Sequence, residues 1–198
     1  DGALSISGLM TKKIGGPSAR PYQPEGYYRH LNHPARTYRR DEDENQYRRG
    51  VYTHWRRTFL HPSLLAFDAP SREECVAERN ISNTPAAALT LLNDPTFVES
   101  ARVFAQRLTE QRGMSHGERI DWAFRCAVAR LPDDRERAVL EALVKSHLSE
   151  FNEAPSAADE ALGVGLAPAP PKADAVEVAA WTSVARTLLN LSETITRN

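Results

Sequence analysis

Apolar positions divide the chain near Thr84: beyond it they recur at helical spacing, and before it they do not. Phe97, Ala101, Phe104 and Leu108 share one stripe of residues 95–111. Ile120, Phe124, Ala127 and Leu131 do the same in 117–130, and Leu140, Leu143, Val144, His147, Leu148 and Phe151 in 134–151. Three amphipathic helices follow from this spacing. Asp133 or Asp134 is placed to cap the third. Arg112-Gly113 and Leu131-Pro132 supply the breaks, and connections this short predict antiparallel neighbours. Over about 174–190, Val176, Ala180, Val184 and Leu188 form another stripe beside Trp181, which predicts a last helix packed on the same core.

Residues 79–98, RNISNTPAAALTLLNDPTFV, carry two helix starts about ten residues apart. Thr84-Pro85 and Asp94-Pro95 each place a capping side chain before a proline at the first helical position, where the missing N–H costs nothing. Between them, Ala88, Leu89, Leu91 and Leu92 are apolar enough to be buried. The expectation is a short core strut around which the rest of the chain is arranged.

The first 80 residues read differently. Residues 11–46 hold a Gly-Gly-Pro turn, further prolines and an acidic run, with Tyr22, Tyr27, Tyr28 and Leu31 as anchors. YRRGVYTHWRRTF, residues 47–59, has strand composition, with Val51, Thr53 and Trp55 expected on one face. Ser71 to Glu74 has the form of a capping box. Residues 154–173 hold one helical turn and a Pro/Ala linker. The sequence therefore predicts a mainly α protein, a helical bundle of four to five main helices with an irregular aromatic-rich N-terminal segment and at most a short β element. Its parts are an irregular wrap with a short strand (1–80), a helical core (81–153), a linker (154–173) and a C-terminal helix packing back on the core (174–198). The opening DGALSISGLM resembles the tail of an amphipathic helix, so residues 1–198 read as one C-terminal domain fragment of a longer polypeptide.

Composition adds exclusions. The formal net charge is −1, and residues 1–80 hold 13 Lys+Arg against 10 Asp+Glu. That balance does not point to nucleic acid or an anionic membrane. No run of apolar residues reaches membrane-spanning length. Cys75 and Cys126 form no CxxC or CxxCH, so zinc ribbons and covalent haem attachment within this chain are excluded. Two buried free thiols are the plainer reading, with a disulfide as the alternative.

Several constellations invite chemistry. His30, His33, His54 and His61, with Asp41, Asp43 and Asp68 near in sequence, are the metal-ligating candidates; scattered surface histidines are the simpler reading. Cys75 sits near arginines that could favour a thiolate, but no histidine is close in sequence. Asp68 with Glu73 or Glu74 could pair for general acid–base work, although a capping carboxylate explains Glu74 without it. Arg48, Arg49, Arg56 and Arg57 flank Tyr52 and Trp55, a pattern that binds phosphate, sulfate or carboxylate, or forms structural ion pairs. Arg72, Arg79, Asn83 and Asp94 suit a network that locks loops to helix ends. These sets make up the candidate binding residues, and no catalytic residue is assigned.

Three groups of segments carry a resemblance: ALSISGLM with KIGGPSARPYQPEG; YRRGVYTHWRRTFLHPSLLAFDAPSREEC with SNTPAAALTLLNDPTFVESARVFAQRL; and EVAAWTSVARTLLNLSETITRN. The chain resembles the C-terminal domain of exported, cytochrome-c-associated multidomain proteins of planctomycetes and related bacteria, a domain of unknown function. The family's leucine and glutamine after Thr-Pro are replaced here by Ala86 and Ala87.

The resemblance implies an extracytoplasmic (periplasmic or exported) setting and haem c in another domain of the full-length protein, with none in this fragment. It implies upstream domains of the same polypeptide as partners, with no nucleic acid and no membrane span. The expected function is a structural or docking module acting through protein–protein interaction, more a binding fragment than an enzyme. The alternative is a lobe of an extracytoplasmic, polysaccharide-active enzyme whose site an upstream domain completes. Such a lobe should gather Asp68, Arg72, Arg79 and His54 around one pocket.

Overall fold

The structure, a computed structural model, describes residues 1–31, 36–56, 59–71, 75–78, 84–168 and 175–196. It is mainly helical. In chain order the α-helices are α1 (Gly2–Ser7), α2 (Pro62–Ala66), α3 (Pro85–Asn93), α4 (Pro95–Thr109), α5 (His116–Val128), α6 (Asp134–Glu153), α7 (Pro155–Leu162), α8 (Ala175–Leu189) and α9 (Ser192–Ile195). No sheet forms among the described residues. The chain divides into two compact units, Asp1 with Met10–Thr90, and Gly2–Leu9 with Leu91–Asn198.

The helical unit is built on α8, which packs against α4, α6, α7, α5 and α9, most extensively against α4. Its sequence explains that position. Val178, Ala179, Ala180, Trp181, Val184, Ala185, Leu188 and Leu189 are all buried, so α8 is apolar around most of its circumference, as a central helix must be. Ala101, Phe104 and Leu108 of α4, Ile120 and Phe124 of α5, and Leu140 and Val144 of α6 complete the core. The helix starts are fixed locally. Ser115 and Glu118 form a reciprocal capping box on α5, and Asp133 and Glu136 another on α6. Leu131, expected on the α5 stripe, is instead 48% exposed, because Ala129 ends the helix in a left-handed conformation, φ +60°.

The stretch expected at the centre lies elsewhere. Both expected caps are present: Thr84 Oγ1 accepts from the Ala87 N–H at 3.2 Å, and Asp94 Oδ1 from the Thr96 N–H at 2.9 Å. Ala87 and Leu91 are the buried residues of α3, whereas Leu89 is 59% exposed. On so short a helix, four nearly consecutive apolar residues cannot share one face. The division between the two units falls within α3.

The N-terminal unit has little regular structure. Three short 3-10 turns cover Tyr27–His30, Glu44–Tyr47 and Gly50–Tyr52. Residues 11–19 run alongside 47–54 through Thr11 N–H to Tyr47 O (3.0 Å), Ala19 N–H to Tyr52 O (2.8 Å) and His54 N–H to Ala19 O (2.7 Å). These contacts make isolated parallel bridges at Thr11–Arg48 and Ala19–Thr53. The strand expected in 47–59 does not form among the described residues of that segment. Gly50–Tyr52 turns back on itself, with Thr53 N–H donating to Gly50 O, and Val51 is left 67% exposed. Tyr22, Tyr28, Leu60, Gln46, Arg48 and His61 supply the buried side chains.

Both cysteines are free thiols, but only Cys126 is partly buried; Cys75 is exposed. Burial pushes the Cys126 thiol up, with Arg107 opposing it.

Candidate functional site

Arg48 anchors the described part of the arginine–aromatic segment. It is buried, and its guanidinium donates to the carbonyls of Pro17 (2.7 Å) and Gly15, with a longer contact to Lys13 (3.4 Å). The same cation lies 3.8 Å from the centre of the Tyr52 ring, and the Tyr52 hydroxyl accepts from the Gly15 N–H at 3.1 Å. A guanidinium can reach several carbonyls at once because its donors form a planar fork. Arg48 therefore holds the Gly-Gly-Pro turn.

Arg49 points to solvent and pairs with Asp1 at 3.5 Å, while Asp1 also accepts from the Gly50 N–H at 2.6 Å. Beside it stand exposed Val51 and half-buried Trp55 and Arg56.

Behind this segment is an aromatic cluster. The Tyr28 ring meets Tyr38 at 5.3 Å and Phe59 at 5.9 Å, both edge-on, and Tyr27 meets Phe59 at 5.3 Å. Edge-to-face pairs of this kind add to burial by matching ring edge to ring face. The phenol protons are committed to the main chain: Tyr27 donates to Leu60 O (3.0 Å) and Tyr38 to Pro21 O (2.6 Å). Burial raises the pKa of Tyr28 and Tyr38, so both phenols stay protonated.

A cleft of about 570 Å³ opens against this cluster. Tyr27, Tyr28 and Tyr38 line it with Gln23, Glu25, Arg29, Arg36, Arg39 and Arg40. Local sequence sets the rim. Gly26 takes φ +72° to begin the 27–30 turn, and a β-carbon there would lie 2.7 Å from Arg29 Nη2. The glycine thus lets Arg29 fold back over its own turn. On the other side, Asp41 holds residue 20 through its carboxylate (2.8 Å to Arg20 N–H) and its own N–H (2.9 Å to Arg20 O).

Sequence reasoning did not single out Arg29, Arg36, Arg39 or Arg40. The signal was present: GYYRHLNHPARTYRR, residues 26–40, contains four arginines and no carboxylate.

None of the expected site residues that the structure describes lines the cleft. Asp94 caps α4, the structural role open to it. Asp68 closes α2 in a left-handed conformation, φ +54°, with its N–H on Leu65 O at 3.2 Å. His61 is buried with Nε2 2.7 Å from Tyr22 O, so its ring is used in packing the main chain. His54 is half-buried; desolvation and then Arg20 and Arg56 lower its pKa, against Asp41. No group of three His, Cys, Asp or Glu side chains is arranged to hold a metal among the described residues. Arg57, Arg72, Arg79, Asn83 and His33, with the His30 side chain, lie outside the described residues. No described helix is long and apolar enough to cross a membrane.

No curated protein and no solved structure matches the chain. A family model does, over residues 1–144, a span that takes in the arginine–aromatic segment, the cleft and the helices through most of α6. The chain belongs to this family, PSD1, described as a protein of unknown function (DUF1553).

Proposed function

We propose that this chain is a structural or docking module of an exported, cytochrome-c-linked bacterial multidomain protein of the planctomycete type. Its partners are the upstream domains of the same polypeptide, haem c is carried by one of them, and the setting is extracytoplasmic. The observation that carries the reading is the exposure of Val51 in the segment that also holds Arg49 and Trp55. A turn leaves Val51 67% exposed, with exposed Arg49 and half-buried Trp55 near it in sequence, a composition suited to an interface anchor with a charged rim. Arg48 is not available there, since it is buried and both of its terminal nitrogens donate to the Gly-Gly-Pro turn.

The enzyme-lobe reading has one point in its favour: His54 has a lowered pKa and is neutral at pH 7, as a general base requires. Mixing the chain with the separately expressed upstream region, and measuring affinity across a salt series, tests the choice. Docking predicts association that weakens as salt rises, because exposed charges are screened over roughly 8 Å at physiological ionic strength. Val51→Asp should weaken it at every salt concentration. Turnover of a polysaccharide by the chain alone, without association at low salt, would replace docking by catalysis.

A further inference from the structure

The geometry points to the cleft between residues 23–29 and 36–40 as a binding site for a compact polyanion, a small ligand bearing two or more phosphate, sulfate or carboxylate groups. This goes beyond the docking reading and stands on different residues. The first support is a surplus of positive charge. Arg29, Arg36, Arg39 and Arg40 face one cleft in which Glu25 is the single carboxylate.

The second is that three of these four cations have no ion pair among the described residues. Several arginines elsewhere are committed: Arg48 and Arg102 to carbonyls, Arg119 to Glu177, Arg130 to Glu136 and Glu193, Arg137 to Asp121. Among the described residues, Arg29, Arg36 and Arg39 have no ion-pair partner. Arg40 lies 3.8 Å from exposed Glu42 and 5.4 Å from the centre of the Tyr22 ring.

The third support is independent of charge. Gln23 lines the same cleft, and its side-chain Nε2 is buried without an acceptor among the described residues. A buried donor left unmade costs on the order of 1–3 kcal/mol. With four arginines against one carboxylate, the lining is richer in donors than in anionic acceptors, which suits an oxyanion.

Size and number narrow the class. The volume, about 570 Å³, lies in the usual range of roughly 300–1,000 Å³ for small-molecule sites. One monovalent anion would leave most of the charge unmatched, whereas two oxyanion groups could each take a guanidinium fork. The Tyr28 and Tyr38 phenols stay protonated, so the aromatic wall adds no competing negative charge.

Isothermal titration of the whole chain with inorganic pyrophosphate and, separately, with citrate tests the site. At least one should bind roughly tenfold more tightly than acetate, and the tighter probe identifies phosphate-like or carboxylate chemistry. The double variant Arg36→Gln/Arg39→Gln, both exposed positions, should keep its urea midpoint and lose about tenfold in affinity. Arg125→Gln, an exposed cation on α5, should leave affinity within about twofold. Failure of both probes to bind more tightly than acetate would overturn the inference. So would equal losses in the two variants, since that would mark diffuse attraction to net charge. Neither outcome bears on association with the upstream region, which uses Arg49, Val51 and Trp55.

Discussion

A β-carbon on Gly165 would lie 2.2 Å from the carboxyl carbon of Glu99. The loop after α7 therefore passes directly over a buried carboxylate, at a point where φ is +103°. Leu166 and Ala167 turn their N–H groups onto Glu99 Oε1, each at 2.6 Å, and Arg102 donates to Ala167 O. Arg102 also lies 3.7 Å from the same carboxylate, and both side chains are almost wholly buried. Main-chain groups of the crossing loop satisfy the Glu99 carboxylate and one Arg102 nitrogen, which offsets part of the cost of burying the pair.

Gly165→Ala should destabilise the helical unit by at least about 1–3 kcal/mol through backbone strain, before the overlap with Glu99 is added. Glu99→Ala should cost about 3–5 kcal/mol, because it leaves Arg102 buried and uncompensated. Urea midpoints measure both. Faster amide exchange at Leu166 and Ala167 should accompany them, and midpoints unchanged from the parent would show that the clamp is not coupled to global stability.

Helix α3 gives a sharper contrast. Thr84→Ala and Asp94→Ala each remove a cap hydrogen bond and should cost roughly 0.5–2 kcal/mol. Leu91→Ala empties a buried site and should cost roughly 2–5 kcal/mol. Leu89→Ala, two residues away but 59% exposed, should stay within about 0.5 kcal/mol. Equal losses at Leu89 and Leu91 would contradict this burial pattern.

That contrast shows where the sequence was legible. Caps and long amphipathic helices were, because the Thr84 and Asp94 devices are local and the α4, α5 and α6 stripes repeat over several turns. Burial on α3 was not, since LTLL reads as apolar whichever residues face inward. The segment 47–59 misled for a related reason: Val51, Thr53 and Trp55 have strand composition, but Gly50 lets the chain turn there, and no neighbouring ladder overrides the turn. The centre of the core was also displaced. Val178, Ala179, Ala180 and Trp181 are four consecutive buried residues, a sign of a helix enclosed on most sides. The cleft was legible only as charge density over 26–40, because its two rims come from segments whose proximity no local pattern specifies.

Arg48 links two such segments. Replacing it by glutamine removes donors to Pro17 and Gly15 and the cation over Tyr52, and should cost about 1.5–3 kcal/mol, as expected for hydrogen bonds from a charged group. The Gly-Gly-Pro turn should loosen first, so tryptic cleavage after Lys13 should accelerate before the rest of the chain becomes sensitive. Unchanged cleavage would show that the turn is held by other contacts.

The pH dependence of stability should fall in two windows with separate owners. His54 has a folded pKa below its ordinary 6.5, chiefly by desolvation and then by Arg20 and Arg56. As pH falls, the unfolded chain takes up that proton first, so stability is intact above about 6.5 and declines as pH falls through the lowered folded value. His54→Gln should flatten this part of the profile. Glu136 titrates lower: hydrogen bonds from Arg130 and then from the Asp133 N–H bring its carboxyl from 4.5 to about 2. Its contribution is present above about 4.5 and is lost as pH falls through about 2. Because Arg130 also holds Glu193, the same acid step should loosen the contact between the start of α6 and α9. Glu136→Gln can retain the capping geometry at α6 but not the ion pair. It should therefore be slightly less stable than the parent at pH 7, as exposed pairs contribute little, and should converge with it near the bottom of the acid window. Urea midpoints of the parent and both variants, followed from neutral to strongly acidic pH, separate the two. A His54→Gln profile parallel to the parent between neutral and mildly acidic pH would remove His54 from the first window, and a Glu136→Gln profile parallel to the parent below about 4.5 would remove Glu136 from the second.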